Sequence, residues 1–189
     1  MNIKVACLGL LVTFPIIGTA DVTFDLLGNS GMFSIADGQS VVTVTNNGIV
    51  ATLEASEGVL NQNAGSFGVN GPGSEDDAAF MNLGQYIDIT FDQSVTFNNV
   101  KVSDWGNDSA AEIQLGITTF TNQGLIGSGI TPYNFIVNYG ETVRIIATGE
   151  SDNAFSVDSF TVDAIPEPAV ISFVAAVGIG GLVARRWFS

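Results

Sequence analysis

Val41-Val42-Thr43-Val44-Thr45-Asn46-Asn47-Gly48-Ile49-Val50-Ala51-Thr52-Leu53-Glu54 is the stretch from which the fold can be read. Ile49, Ala51 and Leu53 alternate with Val50, Thr52 and Glu54, the two-residue period of a strand with one buried and one wet face. Residues 41–45 form a second strand candidate, and Asn47-Gly48 between the two is the best hairpin signal in the chain. Working outward, Val22, Phe24 and Leu26 alternate with Thr23 and Asp25, and Ile87, Ile89 and Phe91 with Asp88, Thr90 and Asp92. Further candidates lie at 95–103, 111–120, 133–138, 142–147 and 155–162. Nine short strands, divided by Asn-Gly, Asp-Gly and Gly-rich turns, predict an all-β chain built as a single β-sandwich of jelly-roll type. In the last strand the apolar phase slips by one, from Phe155 and Val157 to Phe160 and Val162, which a bulge near Asp158-Ser159 accounts for. No stretch between the termini has helical periodicity.

The two ends are of another kind. Lys4 followed by the apolar core Val5–Ile17 and the small residues Gly18-Thr19-Ala20 reads as a secretory signal peptide over residues 1–20, cut by signal peptidase so that the mature chain begins at Asp21. Cys7, the only cysteine, leaves with it, and the mature protein has no thiol chemistry. At the other end stand Ile165-Pro166-Glu167-Pro168, the uncharged run 169–184, and Arg185-Arg186 with three residues beyond. Pro166 and Pro168 fix φ and hold 165–168 extended. As a helix, residues 169–184 reach roughly 24 Å, short of the about 30 Å of a hydrocarbon core. Ile165 on one side and Trp187-Phe188 on the other lengthen the apolar belt, and the two arginines stay cytoplasmic. The domain between these ends, residues 21–164, is of ordinary single-domain size.

That domain holds 18 of the 19 acidic residues and only two cations, Lys101 and Arg144, a net charge of −16. Such a charge repels phosphate backbones and anionic lipid, so nucleic acid is excluded as a partner. Histidine is absent, which removes Ser-His-Asp triads and histidine-ligated zinc. No phosphate-binding glycine loop follows a strand and opens a helix. A carboxylate pair could in principle hydrolyse a glycoside, but nothing in the sequence singles out an acid and a nucleophile. The chain reads as non-enzymatic.

Two groups of residues stand out as candidate sites. The segment Asn61–Leu83, rich in glycine, is the longest irregular stretch and carries Glu75-Asp76-Asp77. Three consecutive carboxylates are either solvated or bridged by a cation, and calcium, which takes six to eight oxygens, is the candidate ion. The spacing matches neither an EF-hand nor a nonapeptide calcium repeat. Trp105, the only tryptophan of the mature domain, lies among polar turn residues with Asn107 and Asp108. It either folds over the core or stacks on a sugar whose hydroxyls its neighbours bond.

The C-terminal order of parts resembles a PEP-CTERM sorting signal, the bacterial tail read by the membrane peptidase exosortase. Pro166-Glu167-Pro168, the membrane run 169–184 and the nearly terminal Arg185 and Arg186 carry the resemblance, which covers residues 165–189. It implies export through the general secretion machinery, transient anchoring by a C-terminal transmembrane helix, and recognition and cleavage at the Pro-Glu-Pro strip. The product is then released or held at the cell surface, in association with exopolysaccharide and biofilm material. Under that resemblance two roles are open: a secreted surface or extracellular-matrix protein, or a carbohydrate-binding module using the same export route.

Overall fold

A computed structural model of the chain describes residues 20–28, 36–71, 81–104, 110–116, 118–122, 129–148 and 155–165. Within them lie twelve strands and no helix. They are β1 (Val22–Asp25), β2 (Val41–Asn46), β3 (Ile49–Ala55), β4 (Val59–Gln62), β5 (Phe67–Asn70), β6 (Tyr86–Phe91), β7 (Val95–Ser103), β8 (Ala111–Leu115), β9 (Thr118–Asn122), β10 (Gly129–Val137), β11 (Thr142–Ala147) and β12 (Ser156–Ala164). Residues 1–19 of the expected signal peptide and the tail from residue 166 onward, with the helices expected of them, fall outside the described residues.

β2 and β3 form the expected hairpin, in register from Val41↔Glu54 to Asn46↔Ile49. Asn47 and Gly48 turn it with φ of 47° and 81°. Two successive positive φ angles give a turn whose twist matches that of the strands, and Asn-Gly tolerates them best. The hairpin continues into a six-stranded sheet of order β2-β3-β6-β11-β8-β9. A second sheet has the order β1-β12-β7-β10, and β4 and β5 make a separate two-stranded ribbon.

The two large sheets pack as a sandwich around one core. Phe24 of β1, Phe160 of β12, Phe97 of β7 and Phe135 of β10 stack in a row that crosses the four-stranded sheet, with centroid separations of 4.9, 6.0 and 5.3 Å. From the facing sheet Phe91 meets Phe160 edge-on at 6.0 Å and 74°. Offset stacking within a sheet and edge-to-face contact between sheets are the arrangements that aromatic quadrupoles favour. Ile87, Ile89, Val143, Ile145 and Ile113 complete the buried face of the larger sheet.

The bulge in β12 is where the phase slip placed it. Val157 pairs with Val102 and Ser159 with Lys101, so Asp158 is the extra residue. Being unpaired, it turns inward: Asp158 is 4% exposed. Ser103 Oγ at 2.5 Å and Ser156 Oγ at 3.3 Å donate to its Oδ1, and Lys101 Nζ lies 3.1 Å from Oδ2. Three elements therefore meet on one carboxylate, since Ser156 Oγ also accepts the Phe67 N–H of β5 at 2.8 Å.

Three features differ from the sequence expectation. The candidate 111–120 is two strands, a β8–β9 hairpin turned at Gly116. β10 begins at Gly129 rather than 133, and a bulge between Pro132 and Phe135 interrupts its register. The stretch Asn61–Leu83 is not wholly irregular, because it contains most of the β4–β5 ribbon. Leu60 and Asn61 on β4, and Phe67, Gly68 and Val69 on β5, are buried consecutively, so neither strand shows the period-two alternation. Buried Asn61 is satisfied within the ribbon by donating to Asn70 Oδ1 at 2.9 Å.

At the opposite end of β12 two like charges sit together. Val22 pairs with Val162, which brings Asp21 beside Asp163, and Asn98 Nδ2 donates to both, at 2.8 and 3.1 Å. Asp163 Oδ1 is buried with no hydrogen-bond partner. Facing like charges on neighbouring strands and an unsatisfied buried oxygen are both destabilising. Asp163→Asn keeps an acceptor for Asn98 and removes one charge. It should stabilise by about 1 kcal/mol and raise the melting midpoint; an unchanged or lower midpoint would mean that the repulsion is already relieved.

Candidate functional site

The inner faces of β6, β11 and β8 are buried, so the residues between the core positions must face outward. Tyr86 and Asp88 on β6, Thr142 and Arg144 on β11, and Glu112 and Gln114 on β8 do so, all half-buried. Arg144 pairs in register with Asp88 on one side and Gln114 on the other, and Asp88 with Glu54 beyond it. One polar row therefore runs across four strands.

Arg144 is held in place by three planar contacts. Its Nε and Nη2 donate to Asp88 Oδ1 and Oδ2 at 2.7 and 2.8 Å. Its Cζ lies 3.6 Å from the centroid of the Tyr86 ring. The fork geometry of guanidinium and carboxylate makes such a pair directional as well as strong. Hydrogen bonding to Asp88 raises the Arg144 pKa further above its already high value, against desolvation by burial, with lesser upward contributions from the charges of Asp88 and Tyr86. Arg144 therefore stays cationic, and with Asp88 it forms a neutral unit.

Two depressions flank this stack. One, of about 250 Å³, is lined among the described residues by Gln114, Gly116, Thr142 and Arg144. The other, of about 360 Å³, is lined by Ser56, Glu57, Leu83, Gly84 and Tyr86. Its rim is tied down: buried Gln85 donates Nε2 to Glu57 Oε1 at 3.3 Å and accepts the Asn82 N–H at 2.8 Å. Ser56 Oγ accepts the Tyr86 N–H at 3.0 Å. Hydroxyl, amide, guanidinium and carboxylate groups thus surround a flat aromatic surface, a set suited to holding a ligand with many hydroxyl groups.

No candidate site residue from the sequence is among the described residues. Glu75, Asp76, Asp77, Trp105, Asn107, Asp108, Pro166, Glu167, Pro168, Arg185 and Arg186 all lie outside the described residues. Among the described residues no group of three or more acidic, histidine or cysteine side chains could hold a metal ion. The groove itself left one signal in the sequence: Arg144, one of two cations in an acidic domain, sits at an outward position in the middle of a strand.

No protein-family model matches the sequence, and no curated protein does. Among solved structures, a family two carbohydrate esterase from Cellvibrio japonicus is similar over 80% of this chain and 36% of its own, at 8% identity and a TM-score of 0.36. A ruminal GH26 endo-beta-1,4-mannanase is similar over 56% of this chain and 22% of its own, at 14% identity and a TM-score of 0.32. The chain thus spans well under half of either protein, and at these scores neither likeness bears on activity.

Proposed function

We propose that this chain is an exported bacterial surface or extracellular-matrix protein, sorted and cleaved by exosortase and associated with exopolysaccharide. The observation that carries the reading is the order of parts in the tail: Pro166-Glu167-Pro168, an uncharged run over 169–184, then Arg185-Arg186. The fold accommodates both processing steps. β1 begins at Val22, so cutting after Ala20 removes none of the twelve described strands. β12 ends at Ala164, and the Ile165 N–H closes the sheet on Ser94 O at 3.1 Å, so losing the tail leaves all twelve described strands in place. In this sequence of events the body folds outside the membrane while Arg185 and Arg186 keep the tail end inside. The Pro-Glu-Pro strip is then presented for cleavage.

Glu167→Ala tests this. The variant should accumulate in the membrane fraction with its tail attached, while its ectodomain melts as in the unsubstituted protein. Intact mass of the surface-associated protein gives the second reading: the tail should be missing. A surface form that still carries Trp187 and Ser189, in cells with an active processing peptidase, would overturn the proposal. The second role, a carbohydrate-binding module on the same route, is favoured by one observation, the polar groove around Tyr86 and Arg144.

A further inference from the structure

We infer that the groove on the outer face of the six-stranded sheet binds one extended chain of a neutral polysaccharide, laid across β8, β11, β6 and β3. The choice of a sugar polymer rests on the exopolysaccharide association proposed above; the place, length and charge of the ligand come from the groove.

The length follows from strand spacing and offset. Four neighbouring strands about 4.8 Å apart span roughly 14 Å. The depressions are also offset along them by about 16 Å, from Thr142 to Ala147 where Gly84 bonds. The diagonal of roughly 21 Å takes about four hexose rings at about 5 Å each. The two depressions lie on either side of the Tyr86–Arg144 stack, so a linear chain occupying both must cross it. Arg144 Cζ lies over the centre of one face of the Tyr86 ring, and the ring surface it leaves uncovered lines the larger depression. The C–H face of a pyranose packs on such a surface, and its hydroxyls reach Ser56 and Glu57 at the rim. On the other side, Asp88 takes Nε and Nη2 of Arg144 and leaves Nη1 to serve the smaller depression with Gln114 and Thr142.

The charge is decided by pairing. Arg144 is neutralised by Asp88 and offers no net positive charge to a carboxylated or sulfated polymer. The surrounding domain, with 18 carboxylates against two cations, repels one. Preorganisation adds to the case, because Asp88 fixes Arg144 and buried Gln85 fixes Glu57, so little freedom is lost on binding.

The test is native gel electrophoresis of the purified full chain through gels containing galactomannan, hydroxyethylcellulose or alginate. The protein should be retarded by at least one of the two neutral polymers and not by alginate. Tyr86→Ala and Gln114→Ala should each weaken the retardation, with an apparent dissociation constant about tenfold higher, equivalent to about 1.4 kcal/mol. Gln114 lies on the sheet surface, so its variant alone decides the matter if Tyr86→Ala lowers the melting midpoint. Retardation by neither neutral polymer, retardation by alginate, or unchanged binding of the folded variants would overturn the assignment. Fractionating cells that express the same variants keeps the two readings apart. Groove variants should still reach the surface without their tails, whereas a chain that binds polymer but keeps its tail sinks only the sorting proposal.

Discussion

Phe160→Ala should lower the unfolding free energy by about 4 kcal/mol, the range of a large aromatic lost from a core that cannot collapse. Phe160 is fully buried and touches three other rings: Phe24 at 4.9 Å, Phe97 at 6.0 Å and Phe91 of the opposite sheet at 6.0 Å. Its removal interrupts the aromatic row across the four-stranded sheet and deletes its edge-on contact with the other sheet. The neighbours cannot close the gap, because Phe24 and Phe97 sit on strands that flank β12 and are fixed by its ladder. Urea unfolding should show the lower midpoint with an unchanged slope, the sign of lost stability without a changed unfolded state. Phe160→Leu should lose much less, since it retains most of the volume. A loss below about 1 kcal/mol for the alanine variant would mean that the sheets close over the site, and that the row does not bind them together.

The parts of this architecture that could be read in the sequence are those in which one face of a strand is wet. Alternation located β1, β3 and β6, and Asn47-Gly48 located the hairpin, because local sterics alone favour two positive φ angles there. The bulge at Asp158 was legible for the same reason: a one-residue slip in the apolar phase has no other cheap explanation in a strand. Alternation fails where both faces are covered. Leu60 and Asn61, and Phe67 through Val69, are buried in succession, so the β4–β5 ribbon carries no period-two signal and reads as part of the glycine-bearing stretch around it. The groove escaped for a different reason. Tyr86, Asp88, Arg144 and Gln114 come from three strands and are brought together by register, which depends on long-range pairing. An outward arginine mid-strand could have been flagged; its aromatic and carboxylate partners could not have been chosen from so many acids. The tail proposed as a sorting signal is the converse case, a contiguous pattern read from its linear order.

Lys101→Met should cost about 3 kcal/mol, near the lower bound for breaking a buried ion pair by removing one partner. The argument turns on an asymmetry between the two ends of the pair. The Asp158 side chain is 5% exposed, whereas that of Lys101 is 44% exposed. Without Lys101 the carboxylate remains in the interior with only the Ser103 and Ser156 hydroxyls to hold its charge. Without the carboxylate charge, the ammonium turns to water at little cost. Asp158→Asn should therefore lose only about 1 kcal/mol, the difference between a charged and a neutral hydrogen-bond acceptor. The double variant Lys101→Met/Asp158→Asn should be more stable than the sum of the two losses requires, by about 2 kcal/mol. The single lysine variant then ought to be the least stable of the three, although it lacks only a half-exposed surface group. Chemical unfolding of the three variants checks the ranking. Equal losses for Lys101→Met and Asp158→Asn with no coupling would show that the inward turn at the bulge is held by the serine hydroxyls alone, with the lysine a solvent-screened neighbour.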